Sequence, residues 1–205
     1  MIRGKEAIEA KVVEAMIKLL KQKDLSLITS DEISTEASVS KRTLYKYFDS
    51  KISMYLSVVE YSFMNMNEYI NDYLVKKKVS SGVDIIREIG RAYLTYGLSH
   101  PFESKIITSF DETDYTEDYQ QRIKDFNEYS NIFLPLKYIE LALKETKFES
   151  AHSAETLSIM YHSSVLGLST LIQSKHEWME EFYKTDIQEI IENHLDLLIS
   201  LIDPK

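Results

Sequence analysis

The chain contains no cysteine, which excludes disulfides, thiolate zinc sites and cysteine nucleophiles. Glycine and proline are scarce too, with five and three among 205 residues. Loop-rich and β-rich proteins need both at their turns, so the shortage points to helices. No apolar run approaches the roughly 18 residues of a membrane span, and no membrane partner is expected. The first ten residues, M-I-R-G-K-E-A-I-E-A, are charged and amphipathic and do not resemble a signal peptide. A soluble, cytoplasmic protein is the expectation. Catalytic signatures are also missing: there is no Gly-rich phosphate loop, paired-carboxylate motif or nucleophile elbow. The five histidines, at 100, 152, 162, 176 and 194, are scattered. Glu149 and His152 have the spacing of half a di-iron site, but a second copy and two further Glu would be required. The acidic stretch 111–118 lacks the central Gly and alternating oxygens of a calcium loop. No enzymatic activity, cofactor or metal is expected.

Basic charge is in short supply as well, and its distribution is informative. The net charge is −9. Residues 1–51 carry ten Lys/Arg against eight Asp/Glu, whereas residues 52–205 carry fourteen against twenty-five. The only net positive part of the chain is therefore its N-terminal quarter, a pattern consistent with a small polyanion-binding head on an acidic body.

Within that quarter the stretch T-S-D-E-I-S-T-E-A-S-V-S-K-R-T-L-Y-K-Y-F-D-S-K, from Thr29 to Lys51, organises the reading. Thr29 can cap a short helix, with Glu32 completing a capping box. Ile33 and Ala37 lie four apart on one face. Ser38 falls in a turn, Val39 can bury, and Ser40 can cap a second helix in which Leu44 and Phe48 face inward. Lys41, Arg42, Tyr45, Lys46 and Tyr47 are left to face outward. Two short helices with cations and phenols on the second make a helix-turn-helix, whose second helix enters the DNA major groove. Lys and Arg neutralise phosphates there, and Tyr hydroxyls hydrogen-bond them. A small helical hairpin with a solvated polar face is the alternative on spacing alone.

V-S-K-R-T-L-Y-K-Y-F-D-S-K, from Val39 to Lys51, resembles the signature of the tetracycline-repressor (TetR) family of bacterial transcription regulators. It departs from the family pattern at Ser38, usually Gly, and at Ser34, usually Ala. A Ser held at positive φ costs about 1 kcal/mol. The resemblance implies an all-α fold of about nine helices: a three-helix DNA-binding domain over residues 1–50 and an effector-binding and dimerisation domain over 51–205. It implies DNA contacts from Thr29, Ser40, Lys41, Arg42, Thr43, Tyr45, Lys46, Tyr47 and Lys51. Arg42 and Thr43 would read base edges, and Lys51 would hold a phosphate. Lys51 also lies in a first helical turn, against the helix dipole, which suggests an anionic partner.

Periodicity predicts a first helix over 5–23, a long helix from Ser50 to about Lys78, and another over 83–99 that His100-Pro101 ends, starting a further short helix lined by Phe102, Ile106, Ile107 and Phe110. One or two helices follow over 116–144, where Pro135 should kink or divide the run. The last two helices are expected at about 153–175 and 184–202, separated by H-E-W-M-E-E-F-Y. Their apolar surface exceeds what one core needs, which predicts a homodimer through this pair. Tyr61, Met64, Tyr93, Tyr96, Phe102, Phe110, Phe126, Tyr129, Phe133, Met160 and Tyr161 are expected on inward faces, where they would line an apolar pocket for a small-molecule effector. Ordinary core packing is the other reading of those residues. The expected function is a homodimeric, effector-released repressor on double-stranded operator DNA. The alternative is a helical sensor or adaptor of the same fold acting through a protein partner.

Overall fold

The computed structural model describes residues 2–111, 115, 117–129 and 134–204, the description of 2–4, 117–118, 126–129 and 134 being of the backbone alone. Ten α-helices, one 3₁₀ turn (Leu25–Leu27) and no strand occur among the described residues. The helices are α1 (Ile2–Leu20), α2 (Ser30–Glu36), α3 (Lys41–Tyr47), α4 (Lys51–Lys77) and α5 (Gly82–Ser99). Then come α6 (Pro101–Ser109), α7 (Glu117–Tyr129), α8 (Leu134–Thr146), α9 (Ala154–Tyr183) and α10 (Ile187–Ser200). The all-α expectation holds, and nine helices become ten because the 116–144 segment contains two. Pro135 is the second residue of α8, where its missing N–H has no intrahelical acceptor to lose.

The helices form two compact units, Met1–Met64 with Phe110–Ile123, and Asn65–Ser109 with Lys124–Lys205. In the first, Val12, Met16 and Leu19 of α1, Ile33 of α2 and its C-cap Ala37, Leu44 of α3, Phe48, and Met54 and Val58 of α4 share one core. These are largely the residues whose three- and four-residue spacings predicted helices, and Leu44 and Ile33 have no exposed surface at all. Each such side chain contributes about 1.5–3 kcal/mol on burial.

The second unit is built around α5, which is buried on nearly every side through Ile86, Ile89, Ala92, Leu94 and Tyr96. It packs against α6, α8, α9 and α10. Two glycines make these approaches possible. A Cβ at Gly82 would lie 2.4 Å from the Ala142 nitrogen, and one at Gly90 would lie 2.4 Å from the Tyr161 hydroxyl and 2.6 Å from Leu195 Cδ2. Glu145 of α8 accepts the Gly82 N–H at 2.6 Å, satisfying an orphan donor of the α5 N-terminus. Polar ties fix α10 on α5. Arg91 donates to Glu192 through Nε at 2.6 Å and also pairs with Glu88, while Arg87 pairs with Asp196. These pairings, the Glu192 bond foremost, hold the Arg91 guanidinium well above its ordinary pKa, and its fork holds Glu192 below the usual carboxylate range.

The expected break at 176–183 does not occur. α9 runs unbroken for 30 residues to Tyr183. The stretch contains neither Gly nor Pro, Met179 is buried, and Trp178 and Phe182, four apart, stack at 5.1 Å between ring centroids. The break comes later, where Lys184 adopts φ 52 and Asp186 accepts the Gln188 N–H to start α10.

Candidate nucleic-acid interface

Three caps set the geometry of α2 and α3. Thr29 Oγ1 accepts from the Glu32 N–H while the Glu32 carboxylate accepts from the Thr29 N–H at 2.9 Å, so the expected capping box is complete. Glu32 also receives Lys23 Nζ at 2.5 Å. That bond, followed by the Thr29 backbone and hydroxyl, holds its pKa down at about 2. At the other end of α2, Val39 N–H reaches the Ser34 carbonyl at 2.9 Å and Ser38 N–H reaches that of Thr35 at 3.1 Å. These two bonds make a Schellman motif, and it requires a left-handed residue at its penultimate position. Ser38 supplies it at φ 54, so the strain foreseen for a serine in this turn is present. Ser40 then caps α3, its Oγ accepting the Thr43 N–H at 3.0 Å.

The side chains expected to meet DNA fall into three groups. Arg42 is exposed, and its side chain makes no hydrogen bond or ion pair with any described residue. Lys46, also exposed, lies over the Tyr47 ring at 5.1 Å. A second group faces outward but is held. Lys41 pairs with Asp31 at 2.6 Å, and the Tyr45 hydroxyl meets Ser30 Oγ at 2.5 Å. The Thr43 hydroxyl sits 2.9 Å from Ser40 Oγ, and Thr29 is engaged in its box. An exposed Lys41–Asp31 pair is worth under about 1 kcal/mol, so a phosphate can replace Asp31 at little cost.

Lys51 forms the third group alone. Its ammonium donates inward to the carbonyls of Leu25 (2.8 Å), Ser26 (3.4 Å) and Ile28 (2.9 Å). An anionic partner, a DNA phosphate, was expected for this cation from its place against the dipole; here its ammonium is instead taken up by carbonyls of the 3₁₀ turn and of Ile28 that follows it. Sequence reasoning also missed Ser30 and Asp31, which orient Tyr45 and Lys41. Both are ordinary first-turn residues of α2, and nothing local marks them.

The residues expected to line an effector pocket are dispersed. Tyr61, Met64 and Met160 are exposed, not inward. On α4 the buried stripe runs through Met54, Val58, Ser62, Met66 and Ile70, so Tyr61 and Met64 lie off it; on α9 it runs through Leu157, Tyr161, Val165, Leu168 and Ile172, one position from Met160. Tyr161 is a core residue whose hydroxyl donates to the Ile86 carbonyl at 2.7 Å. Tyr96 is buried and stacks on His100, with centroids 4.4 Å apart. Burial pushes the half-buried Tyr93 hydroxyl up to about 12. Phe102 and Phe110 are half-buried. Phe133 and the side chains of Phe126 and Tyr129 lie outside the described residues. A cleft of about 660 Å³ in the second unit has a different character, with Asp84, Glu145, Asp196 and Asp203 around Arg87.

Comparison with known proteins fits this geometry. Residues 12–58 match the family model for bacterial regulatory proteins of the tetR family. The chain is 44% identical over 55 residues, 27% of its length, to YxbF, an uncharacterized HTH-type transcriptional regulator of Bacillus subtilis (strain 168). That match spans 14% of YxbF, and the chain spans about half the length (49%) of the nucleoid occlusion factors it also matches. Over nearly all of both chains the fold is similar to a tetR-family regulatory protein from Rhodococcus RHA1, with TM-score 0.69, 15% identity, and 96% and 97% covered. It is likewise similar to FadR from Bacillus subtilis in complex with stearoyl-CoA, with TM-score 0.69, 13% identity, and 94% and 98% covered. The matched residues 12–58 are the ones that build the capped α2–α3 pair and its core, so the likeness to bacterial regulatory proteins of the tetR family rests on that pair, and over the rest of the chain the likeness is one of fold.

Proposed function

We propose that the protein is a DNA-binding transcriptional repressor that works as a homodimer and releases its operator when a small molecule binds the second unit. The observation that carries the DNA role is the outer face of α3, where the unpaired Arg42 and exposed Lys46 stand beside the weakly held Lys41 and Tyr45. Arg42, near the helix N-terminus, is placed for base edges, and Lys41, Lys46 and Tyr45 for backbone phosphates. The homodimer is supported by α9 and α10, which expose Ile159, Leu171, Trp178, Phe182 and Leu197, with Leu201 exposed at the α10 C-cap. Gly167 lies among them with open space where a side chain would be, room for a second helix to approach closely. Two such pairs around a two-fold axis would present two heads to grooves about 34–36 Å apart.

The effector rests on the fold, since FadR, of similar fold, holds stearoyl-CoA. A ligand that favours the wrong head spacing would release DNA through its differential affinity for the two states. Repression is the sign that family habit favours.

The decisive experiment is selection of bound fragments from genomic DNA, followed by anisotropy titration over a range of salt. A near-palindromic fragment bound with a steep negative salt slope is expected. Absence of salt-dependent binding would favour a second reading, in which the exposed Trp178–Phe182–Tyr183 cluster docks a protein partner.

A further inference from the structure

The first unit includes a segment remote in sequence from the helix-turn-helix, Phe110–Ile123, which carries the opening turns of α7. Those turns contact one face of α4 and the joint that precedes it. Ser50, Ser53, Ser57 and Glu60 recur at intervals of three, four and three, so they form a polar seam down the first turns of α4. Arg122 lies along that seam. Its Nε donates to Glu60 Oε1 at 2.7 Å, and Nη2 donates to Glu60 Oε2 at 2.6 Å and Ser57 Oγ at 2.8 Å. Its Nη1 donates to the Ser53 carbonyl at 3.0 Å and to Ser53 Oγ at 3.3 Å. A guanidinium has five N–H donors, and here each has an acceptor on α4. One turn earlier, the Tyr119 hydroxyl meets Ser50 Oγ at 2.5 Å and donates to Asp49 Oδ1 at 3.5 Å. Ser50 Oγ in turn accepts the Ser53 N–H at 3.0 Å.

The location distinguishes this from an ordinary helix contact. Only Phe48, Asp49 and Ser50 separate the last residue of α3 from the first of α4. Phe48 is anchored in the core, and the other two are the residues Tyr119 reaches. The direction in which α3 leaves α4 is therefore set by the core on one side and by α7 on the other. Ile123, one residue on, is buried, with 3% of its surface exposed.

We propose that Arg122 and Tyr119 are positioning residues for DNA reading: α7 clasps the α3–α4 joint and holds α3 at the angle that presents Arg42 to base edges. This rests on the DNA-binding function proposed above. Neither residue touches DNA. Both act through the joint, so their loss degrades selectivity and leaves the electrostatic attraction intact. Lysine at 122 keeps the charge but cannot form the fork.

The test uses the full chain with Arg122→Lys and Tyr119→Phe, on a selected fragment and on unrelated duplex of equal length. Arg122→Lys is expected to weaken the selected fragment on the order of ten-fold. Unrelated duplex and the salt slope should stay within about two-fold of the parent. Tyr119→Phe should show the same pattern at smaller amplitude. Amide exchange should accelerate over Lys41–Met54 while α1 keeps its protection. Unchanged affinity in both variants would overturn the proposal, as would equal losses on both DNAs or loss of protection in α1. If Arg122→Lys does not fold, Tyr119→Phe decides by the same criteria. If the unmodified chain shows no salt-dependent DNA binding, the function falls and the positioning role with it. The exchange pattern would still report separately whether α7 holds the joint.

Discussion

Ser38 shows how much one backbone angle matters in a short unit. At φ 54 it carries the Schellman turn that sets α3 against α2, and a Cβ there is strained by about 1–2 kcal/mol. Ser38→Gly should raise stability by about 0.5–1 kcal/mol, part of the relief being offset by the freer unfolded chain. A chemical denaturation midpoint below the parent's would contradict this. Arg42 and Lys51, both cations of the same motif, should behave in opposite ways. Arg42→Ala should leave the melting temperature unchanged and relax base preference at one operator position by about 1–3 kcal/mol. Lys51→Ala should strand the carbonyls of Leu25 and Ile28 and lower stability by about 1–2 kcal/mol. Equal effects on DNA selectivity would show that Lys51 turns outward on binding. Glu32 carries a pH signature. Its carboxyl is held at about 2, chiefly by Lys23, so the folded chain binds this proton less tightly than the unfolded chain does. The contribution is fully present above the ordinary carboxylate pKa near 4.3 and is lost as pH falls from there through about 2. The group is exposed, so salt should weaken the effect, and an NMR titration of the Glu32 carboxyl checks the value.

At the scale of the element, the helices were legible wherever an end is written locally. Thr29 with Glu32, Ser40, and Pro101 after His100 all mark termini that the structure keeps. The end of α9 was not legible, because a charged, aromatic stretch resembles a connection until the Trp178–Phe182 stack and the burial of Met179 are known. The partners of Lys51 lie 23 to 26 residues away, and Tyr119 meets Ser50 across 69. No periodicity encodes such separations. Most of the outward set on α3 was legible because burial of Leu44 and Phe48 dictates which side chains remain, but Tyr47, expected outward, is half-buried and packs against the core. The aromatic list was not, since one position of helical rotation separates Met160 from the buried Tyr161. The α5 packing also has a measurable weak point. Gly90→Ala should cost about 1–3 kcal/mol through its clash with Tyr161 and Leu195. The loss should shrink in a Tyr161→Phe background, because the hydroxyl is the nearer obstacle. Additive losses in thermal melts would refute that coupling.

For the molecule as a whole, charge and surface divide the labour. Residues 1–51 carry the positive balance and the rest the negative, so under the proposed function nonspecific attraction to DNA would fall to residues 1–51. The exposed apolar face of α9 and α10 is the feature that the homodimer proposal must account for. Leu197→Glu, at a position 64% exposed, should leave the fold intact and yield a monomer by sedimentation at micromolar concentration. A dimer surviving that change would move the interface elsewhere.

Trp178 is the sole tryptophan, and it stands half-exposed on that face, between ring partners at Phe182 and Tyr183. The protein thus carries its own optical reporter, with no other indole to dilute the signal. If α9 meets a second copy, the emission maximum shifts to the blue on concentration and returns on dilution, and an aqueous quencher such as iodide loses access over the same range.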